Sequence, residues 1–266
     1  MSDAPLPGIF EGSQNLAIGV DIGGTKIAAG IVDGEGRVRA HVRSATPATE
    51  PDALETEVVR LVRELSSEPL PVGVAAAGFI DAAQSEVMYA PNIAWRNVPL
   101  RAHLETRLGR TVTIDNDANA AGWAEYRFGA GRGVTDMTMI TIGTGVGGAA
   151  IVNGRLLRGG FGAAAELGHV RLVPEGELCG CGQRGCLEQY GSGRALMRAL
   201  NRIADTDRPD SRLSEVRSRD GELNAENVTP LMLEGDPGAA EALAEIGRAL
   251  GAGCASIAAV LDPERF

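Results

Sequence analysis

Twice in this chain two short apolar runs are joined by a glycine-rich turn, and that repetition constrains the fold more than any other feature. The run 16–20 leads into Asp21-Ile22-Gly23-Gly24-Thr25-Lys26 and continues as the run 27–32. The run 137–142 leads into Gly143-Thr144-Gly145-Val146-Gly147-Gly148 and continues as 149–152, closed by Asn153-Gly154. Apolar runs of this length bounded by glycine read as strands, and Asn-Gly is a strong hairpin signal. Residues 38–42 and 72–76 read as further strands, and so do residues 111–114. Helices are expected from Pro51, where Leu54, Val58, Leu61, Val62 and Leu65 share one face, over 99–108 before Gly109, and over 118–126 and 193–204. Asp236-Pro237 opens an alanine-rich helix running to about Val260, while 208–224 is polar and reads as a loop or short helix. Strands alternating with helices give the α/β class. Two similar turns in two halves predict two lobes with a cleft between them: a small lobe at 16–120 and a larger one at 121–266, after a flexible lead-in at 1–15 containing Pro5, Pro7, Gly8 and Gly12.

The chain is acidic, with a formal net charge of −10, which argues against nucleic acid as a partner. No stretch reaches the ~18 apolar residues of a membrane span, and the first residues lack the apolar core of a signal peptide. A cytoplasmic protein is expected. Of the 25 basic residues only Lys26 is lysine, which makes that position stand out.

Glycine-rich turns let backbone N–H groups approach anionic oxygens closely. Gly23, Gly24, Gly143, Gly145 and Gly147 fit that role, with hydroxyl donors from Thr25 and Thr144 and a phosphate-neutralising charge from Lys26. Asp21, at a strand end, is placed to hold Mg2+ directly or through water. One such turn alone is equally a plain hairpin; two together favour phosphate binding. Neither matches the Walker or dinucleotide patterns.

Asp115-Asn116-Asp117-Ala118-Asn119 falls at a strand-to-helix junction. Asp117 is the candidate general base for a hydroxyl attacking a phosphoryl group, although helix capping accounts for these residues equally well. His169, Cys179, Cys181 and Cys186 have the spacing His-x9-Cys-x-Cys-x4-Cys. One imidazole and three thiolates form a closed structural Zn2+ set, with buried reduced thiols as the alternative. Glycines at 180, 182 and 185 allow tight folding around an ion. Cys254 reads as core. Glu166 and Glu188 flank the cluster, as sugar-hydroxyl acceptors fixed by the metal or as ordinary surface glutamates.

In this order, the two glycine turns, Asp115-Asn116-Asp117-Ala118-Asn119-Ala120, Glu166-Leu167-Gly168-His169 and the 179–188 segment resemble the ROK family (repressors, open reading frames, kinases), and within it the bacterial ATP-dependent glucokinases. The resemblance covers nearly the whole chain from Leu16. It implies a two-lobed actin-like (ribonuclease-H-like) ATPase fold with a central cleft, closing on glucose and ATP. It implies Asp117 as base toward the glucose 6-hydroxyl, sugar contacts from Gly78, Asn116, Glu166, His169 and Glu188, and ATP with Mg2+ handled by Asp21 and the two turns. His169 would serve metal and sugar with its two ring nitrogens. A homo-oligomer, dimer or tetramer, is expected. Two departures stand out. Ala165 occupies a position where many members have glycine, and the chain stops at Phe266, where members continue into a further strand, an adenine loop and a closing helix. Alternatives within the family are kinases for fructose, N-acetylmannosamine or N-acetylglucosamine. A sugar-sensing repressor or a non-catalytic sugar-binding protein lies outside the enzyme class.

Overall fold

The computed structural model describes residues 15–206 and 210–266; all of the expected lead-in except Asn15 lies outside them. The described chain packs as two units. The first runs to Thr135 and takes in Asn153–Ala165; the second comprises Asp136–Val152 and Glu166–Phe266. The division expected after residue 120 falls inside a helix, Asp117–Phe128, that belongs whole to the first unit.

In the first unit β1 (Ala17–Ile22), β2 (Lys26–Val32) and β3 (Val38–Ala45) form an antiparallel meander. Helix α1 (Pro51–Leu65) returns the chain to β4 (Val72–Ala76), parallel to β1. Short strands β5 (Phe79–Ile80), β6 (Val87–Tyr89) and β7 (Arg96–Val98) form a small separate sheet. Helix α2 (Leu100–Leu108) ends at Gly109 in the left-handed conformation and precedes β8 (Val112–Asn116), parallel to β4. The main sheet has the order β3-β2-β1-β4-β8, and α3 (Asp117–Phe128) leaves its last strand. Alternate residues of β1 (Ile18, Val20 and Ile22) are buried against Leu54, Val58, Leu61 and Val62 of α1, as the helical spacing predicts. The parallel strands β1, β4 and β8 bring Asp21, Ala75 and Asp115 into register at their carboxyl ends, the edge where α/β sheets carry their sites.

In the second unit β9 (Met137–Ile142) and β10 (Val146–Val152) pair as an antiparallel hairpin. A 3-10 turn at Leu167–His169 and helices α4 (Glu188–Gly191), α5 (Gly193–Ala204), α6 (Leu213–Asp220), α7 (Ala225–Glu234) and α8 (Pro237–Leu261) complete it. Leu200, Ile203, Leu213, Val228 and Leu231 form the helical core.

Three features depart from the sequence reading. Strands β5 to β7 are too short to show an alternating pattern. Helix α7 contains Pro230, a residue that marks helix ends, yet it has a reciprocal capping box of Asn224 and Asn227 at its start and buries Val228 and Leu231 in the core. Helix α8 is, by length and composition, apolar enough to cross a membrane (mean hydropathy 1.3 over its most apolar window), against the expectation that no stretch is. Its apolar character comes largely from alanine. Glu241, Glu245 and Arg248 interrupt it, and it packs on α4 and α5, with Gly253 against Leu187.

Asp236 fixes the start of α8. Its carboxylate accepts from the amides of Ala239 (3.0 Å) and Arg212 (2.8 Å) and the Ser211 hydroxyl (2.9 Å). Burial alone would raise its pKa; these donors outweigh burial and hold it below 3.8. Asp236→Ala is therefore expected to cost about 1–2 kcal/mol in thermal or urea unfolding. Because the folded-state pKa is depressed, this contribution is present above pH 3.8 and fades as pH falls below it. A mutant-to-wild-type difference independent of pH across that range would contradict the assignment.

Candidate active site and metal centre

At the carboxyl end of β8 three adjacent polar residues have three different jobs. The Asp115 carboxylate accepts from Arg158 Nη2 (2.7 Å) and Nε (3.0 Å), Gln84 Nε2 (3.0 Å), Asn119 Nδ2 (3.0 Å) and the Asn116 amide (2.9 Å). Asn116 is the N-cap of α3: its Oδ1 accepts from the Asn119 amide at 3.1 Å, and its Nδ2 donates to the Gly78 carbonyl at 3.1 Å. Asp117 begins the helix proper and accepts from the Ala118 amide at 3.0 Å. Helix capping, left open by the sequence, thus falls to Asn116. A side chain at Gly78 would come within 2.7 Å of the Tyr89 carbonyl, so this glycine is required by the close approach of β6.

Burial pushes Asp117 above its usual range; the Ala118 amide opposes that rise and the charge of Asp21 adds to it. Asp21 is raised too, by burial, with Lys26 opposing. Its turn is pinned on both sides. The Gly23 amide donates to the Lys26 carbonyl (3.0 Å), and the Thr46 hydroxyl donates to the Gly23 carbonyl (2.7 Å). The Thr46 amide donates to the Thr25 carbonyl (3.1 Å). A Cβ on Gly24 would lie 2.9 Å from Asn92. Asp21, Gly23, Gly24, Thr25, Lys26, Gly78, Asn116 and Asp117 all belong to the first unit.

The second unit carries the other predicted residues. In the β9–β10 turn the Gly143 amide donates to the Gly145 carbonyl at 3.0 Å, and the Gly193 amide donates to the Gly143 carbonyl at 2.8 Å. Glu188, first residue of α4, accepts from the Val146 amide at 3.2 Å and from Arg194 Nη2 at 3.2 Å. Arg194 Nε also donates to the Thr144 carbonyl at 3.1 Å. Thr144, Gly145 and Gly147 therefore lie on a turn tied to the helices rather than on a free hairpin tip. Glu166 stands before the 3-10 turn, its carbonyl accepting from the His169 amide at 3.0 Å. Ala165 has φ 62°, the left-handed conformation glycine adopts without strain.

His169, Cys179, Cys181 and Cys186 converge, their ligand atoms all within 4.8 Å of one another. Cys179 Sγ lies 3.6 Å from His169 Nδ1, and Cys181 Sγ 3.6 Å from Cys186 Sγ. A tetrahedron with metal–sulfur bonds near ~2.3 Å has edges of about 3.8 Å, so the four groups fit a tetrahedral ion. Gly182 (φ 87°) and Gly185 (φ 80°) make the reversals of the knuckle; Gly180, also expected to matter, has no such conformation. Burial, together with the neighbouring Cys181 and Cys179, pushes the Cys186 thiol up to about 12, and a cation in place of the proton would satisfy that buried sulfur. With Nδ1 facing the cysteines, Nε2 of His169 is left for another partner.

Sequence reasoning missed Gln84, Arg158 and Arg194. Every basic residue other than Lys26 is arginine, so residue type alone marked neither Arg158 nor Arg194.

The family model described as "ROK family" matches residues 17–266. The glucokinase of Streptomyces coelicolor is 44% identical over 257 residues, 95% of this chain and 81% of the relative. The crystal structure of a ROK family glucokinase from Streptomyces griseus in complex with glucose and AMPPNP is similar at 45% identity with a TM-score of 0.80, over 93% of this chain and 80% of that one. An inorganic polyphosphate/ATP-glucomannokinase from Arthrobacter matches with a TM-score of 0.62 at 31% identity, over 94% of this chain and 81% of that one. The fold is the actin-like ATPase fold of these sugar kinases. With the matched span reaching from β1 to the last residue, the chain belongs to the ROK family.

Proposed function

We propose that the chain is a glucokinase that transfers the γ-phosphoryl group of ATP to the 6-hydroxyl of glucose. The observation that carries this reading is the division of labour at the end of β8, where Asn116 caps the helix and Asp117 is left with a raised pKa beside a second carboxylate. The named relatives support it, since two of those most like this chain are glucokinases.

In the reaction the O6–phosphorus bond forms, the bond from the γ-phosphorus to the ADP oxygen breaks, and the hydroxyl proton passes to Asp117. A raised pKa makes Asp117 a better proton acceptor than an ordinary surface aspartate. Asn116, Gly78, Glu166, His169 and Glu188 are assigned to the other sugar hydroxyls, with His169 Nε2 as one polar contact. Gly23 to Lys26 and Gly143 to Gly147 are assigned to the phosphates, where backbone amides and Lys26 offset their charge. Mg2+, when bound, neutralises charge on the transferring phosphoryl group, and Asp21 is the residue assigned to hold it. The Cys₃His set is assigned to structural Zn2+, which would fix His169 and the start of α4. The same reading carries a cytoplasmic homo-oligomer, dimer or tetramer.

A coupled assay for glucose 6-phosphate with ATP, and with polyphosphate beside it, tests the reading. Asp117→Ala is expected to lower kcat by ~10²–10⁴-fold with an unchanged melting temperature; near-normal turnover would remove Asp117 from the mechanism. Since the active form of Asp117 is the deprotonated one, kcat/KM should fall on the acid side through a pKa above 3.8. Asp21→Asn removes a like charge and should move that acid limb to lower pH, whatever it does to the maximal rate. Cys181→Ser should lower both bound zinc, measured by atomic absorption, and the melting temperature. Full stability in a metal-free protein would exclude a structural ion.

A further inference from the structure

We propose that Arg194 is a positioning residue that locks the Gly143–Gly148 turn and Glu188 into one rigid piece, so that a carboxylate assigned to the sugar and a turn assigned to the phosphates keep a fixed spacing. The proposal rests on the glucokinase reading for the roles of those two partners, but its geometry lies wholly within the second unit.

Arg194 sits near the start of α5, and its guanidinium spans two groups at once. Nε donates to the Thr144 carbonyl at 3.1 Å, and Nη2 donates to Glu188 Oε1 at 3.2 Å. Glu188 Oε2 closes the ring by accepting from the Val146 amide at 3.2 Å. The turn is thereby held at Thr144 and at Val146, from opposite sides of Gly145. Gly145 admits the arrangement because any side chain there would collide with the Glu188 carboxylate. One residue earlier on α5, the Gly193 amide donates to the Gly143 carbonyl at 2.8 Å, and a Cβ on Gly193 would lie 2.8 Å from that same oxygen. The junction of α4 and α5 thus grips the turn at three points: Gly143 by backbone, Thr144 by guanidinium and Val146 by carboxylate.

Charge explains why this residue is an arginine. Glu188 places a negative charge against a turn assigned to bind phosphate, which by itself would oppose an anionic ligand. Arg194 offsets that charge where it lies and keeps the carboxylate turned to the Val146 amide. A lysine could neutralise the charge, but a single ammonium lacks the planar fork that reaches the carbonyl and the carboxylate together. The Arg194 side chain is 57% exposed, so its effect is one of orientation more than of buried ion-pair strength.

The test compares Arg194→Ala and Arg194→Lys with wild type, and with Arg202→Ala, an arginine of the same helix paired with Glu245 on α8, as control. Hydrogen exchange of the Val146 amide in the unliganded full chain reads the lock without reference to catalysis. Exchange should be about fivefold faster or more in Arg194→Ala and also raised in Arg194→Lys, but unchanged in Arg202→Ala. In the kinase assay the KM values for glucose and for ATP should rise together in Arg194→Ala, by about fivefold each, with a smaller change in kcat. Arg194→Lys should recover little of either. Unaltered protection of Val146 in Arg194→Ala would overturn the proposal. So would a rise in the KM for ATP alone that lysine restores, since that pattern belongs to a simple counter-charge for phosphate. If wild type turns over no hexose, the glucokinase reading fails on its own, and the exchange measurement still decides whether Arg194 holds the turn. Should Arg194→Ala lower the melting temperature broadly, Arg194→Gln, which retains a long polar side chain, replaces it in the same measurements.

Discussion

A helix has one N-cap, and much of the first unit's chemistry follows from which residue takes it. At the end of β8 Asn116 supplies the capping oxygen to the Asn119 amide. Asp115 is held through one oxygen by Arg158 and Gln84 and through the other by the Asn119 side chain and the Asn116 amide. Asp117 is left at the first helical position, where its carboxylate accepts from the amide of the next residue. Had Asp117 been the cap, the amides of the first turn would have lowered its pKa and made it a poor base. The neutral amide of Asn116 satisfies the helix, and the ionisable group is left out of the cap, as the proposed role of Asp117 requires. The ion pair at Asp115 matters for the same reason. An unpaired carboxylate two residues away would add to the repulsion that Asp117 already feels from Asp21.

The second unit solves a related problem, that of making glycine-rich backbone rigid. Glycines allow close approach to an anion but also carry the largest conformational freedom. The β9–β10 turn is restrained from outside, through Glu188, Gly193 and Arg194, and these follow directly on the cysteine knuckle. Cys186, Leu187 and Glu188 are consecutive: a ligand of the cluster, a fully buried leucine packed under Gly253 of α8, and the carboxylate on the turn. An ion in the cluster would order the first of these and, through two peptide bonds, the last. The cluster thus has a physical route to the turn.

Legibility in the sequence followed the range of the interaction. The strands flanking both glycine turns, the helix on Pro51, the 193–204 helix and the cap at Asp236 rest on local periodicity and capping, and the structure has each of them. The convergence of His169 with three cysteines was readable because three of the four ligands fall within eight residues. The roles of Arg158, Gln84 and Arg194 were not readable, since each pairs with a carboxylate whose partner is set by tertiary folding. Gln84 reaches Asp115 across 31 positions from a backbone at φ 53°, which no propensity predicts. Helix α7 was hidden by Pro230; its capping box and the burial of Val228 and Leu231 in the core support a helix that the proline alone disfavours.

Asp21 ties the two halves of the proposed chemistry together electrostatically. Its charge raises the pKa of Asp117, and Lys26 in turn lowers that of Asp21. A cation held at Asp21 would cancel the repulsion and lower the pKa of Asp117, leaving more of it ionised but each ionised group a weaker proton acceptor. Under the proposed roles, a carboxylate that holds the cation at Asp21 would also bear on the pKa of Asp117, alongside the burial that is its largest cause. Lys26 is the adjustable element. It sits at the start of β2, one turn from Asp21, and is the chain's one lysine among 25 basic residues. An ammonium is a compact charge on a flexible stem that can turn from the carboxylate toward a phosphate oxygen, whereas a guanidinium would bind the carboxylate bidentately and hold it. In a chain that otherwise uses arginine throughout, a lysine at this position acts on Asp21 through its charge without a fork that would hold the carboxylate bidentately.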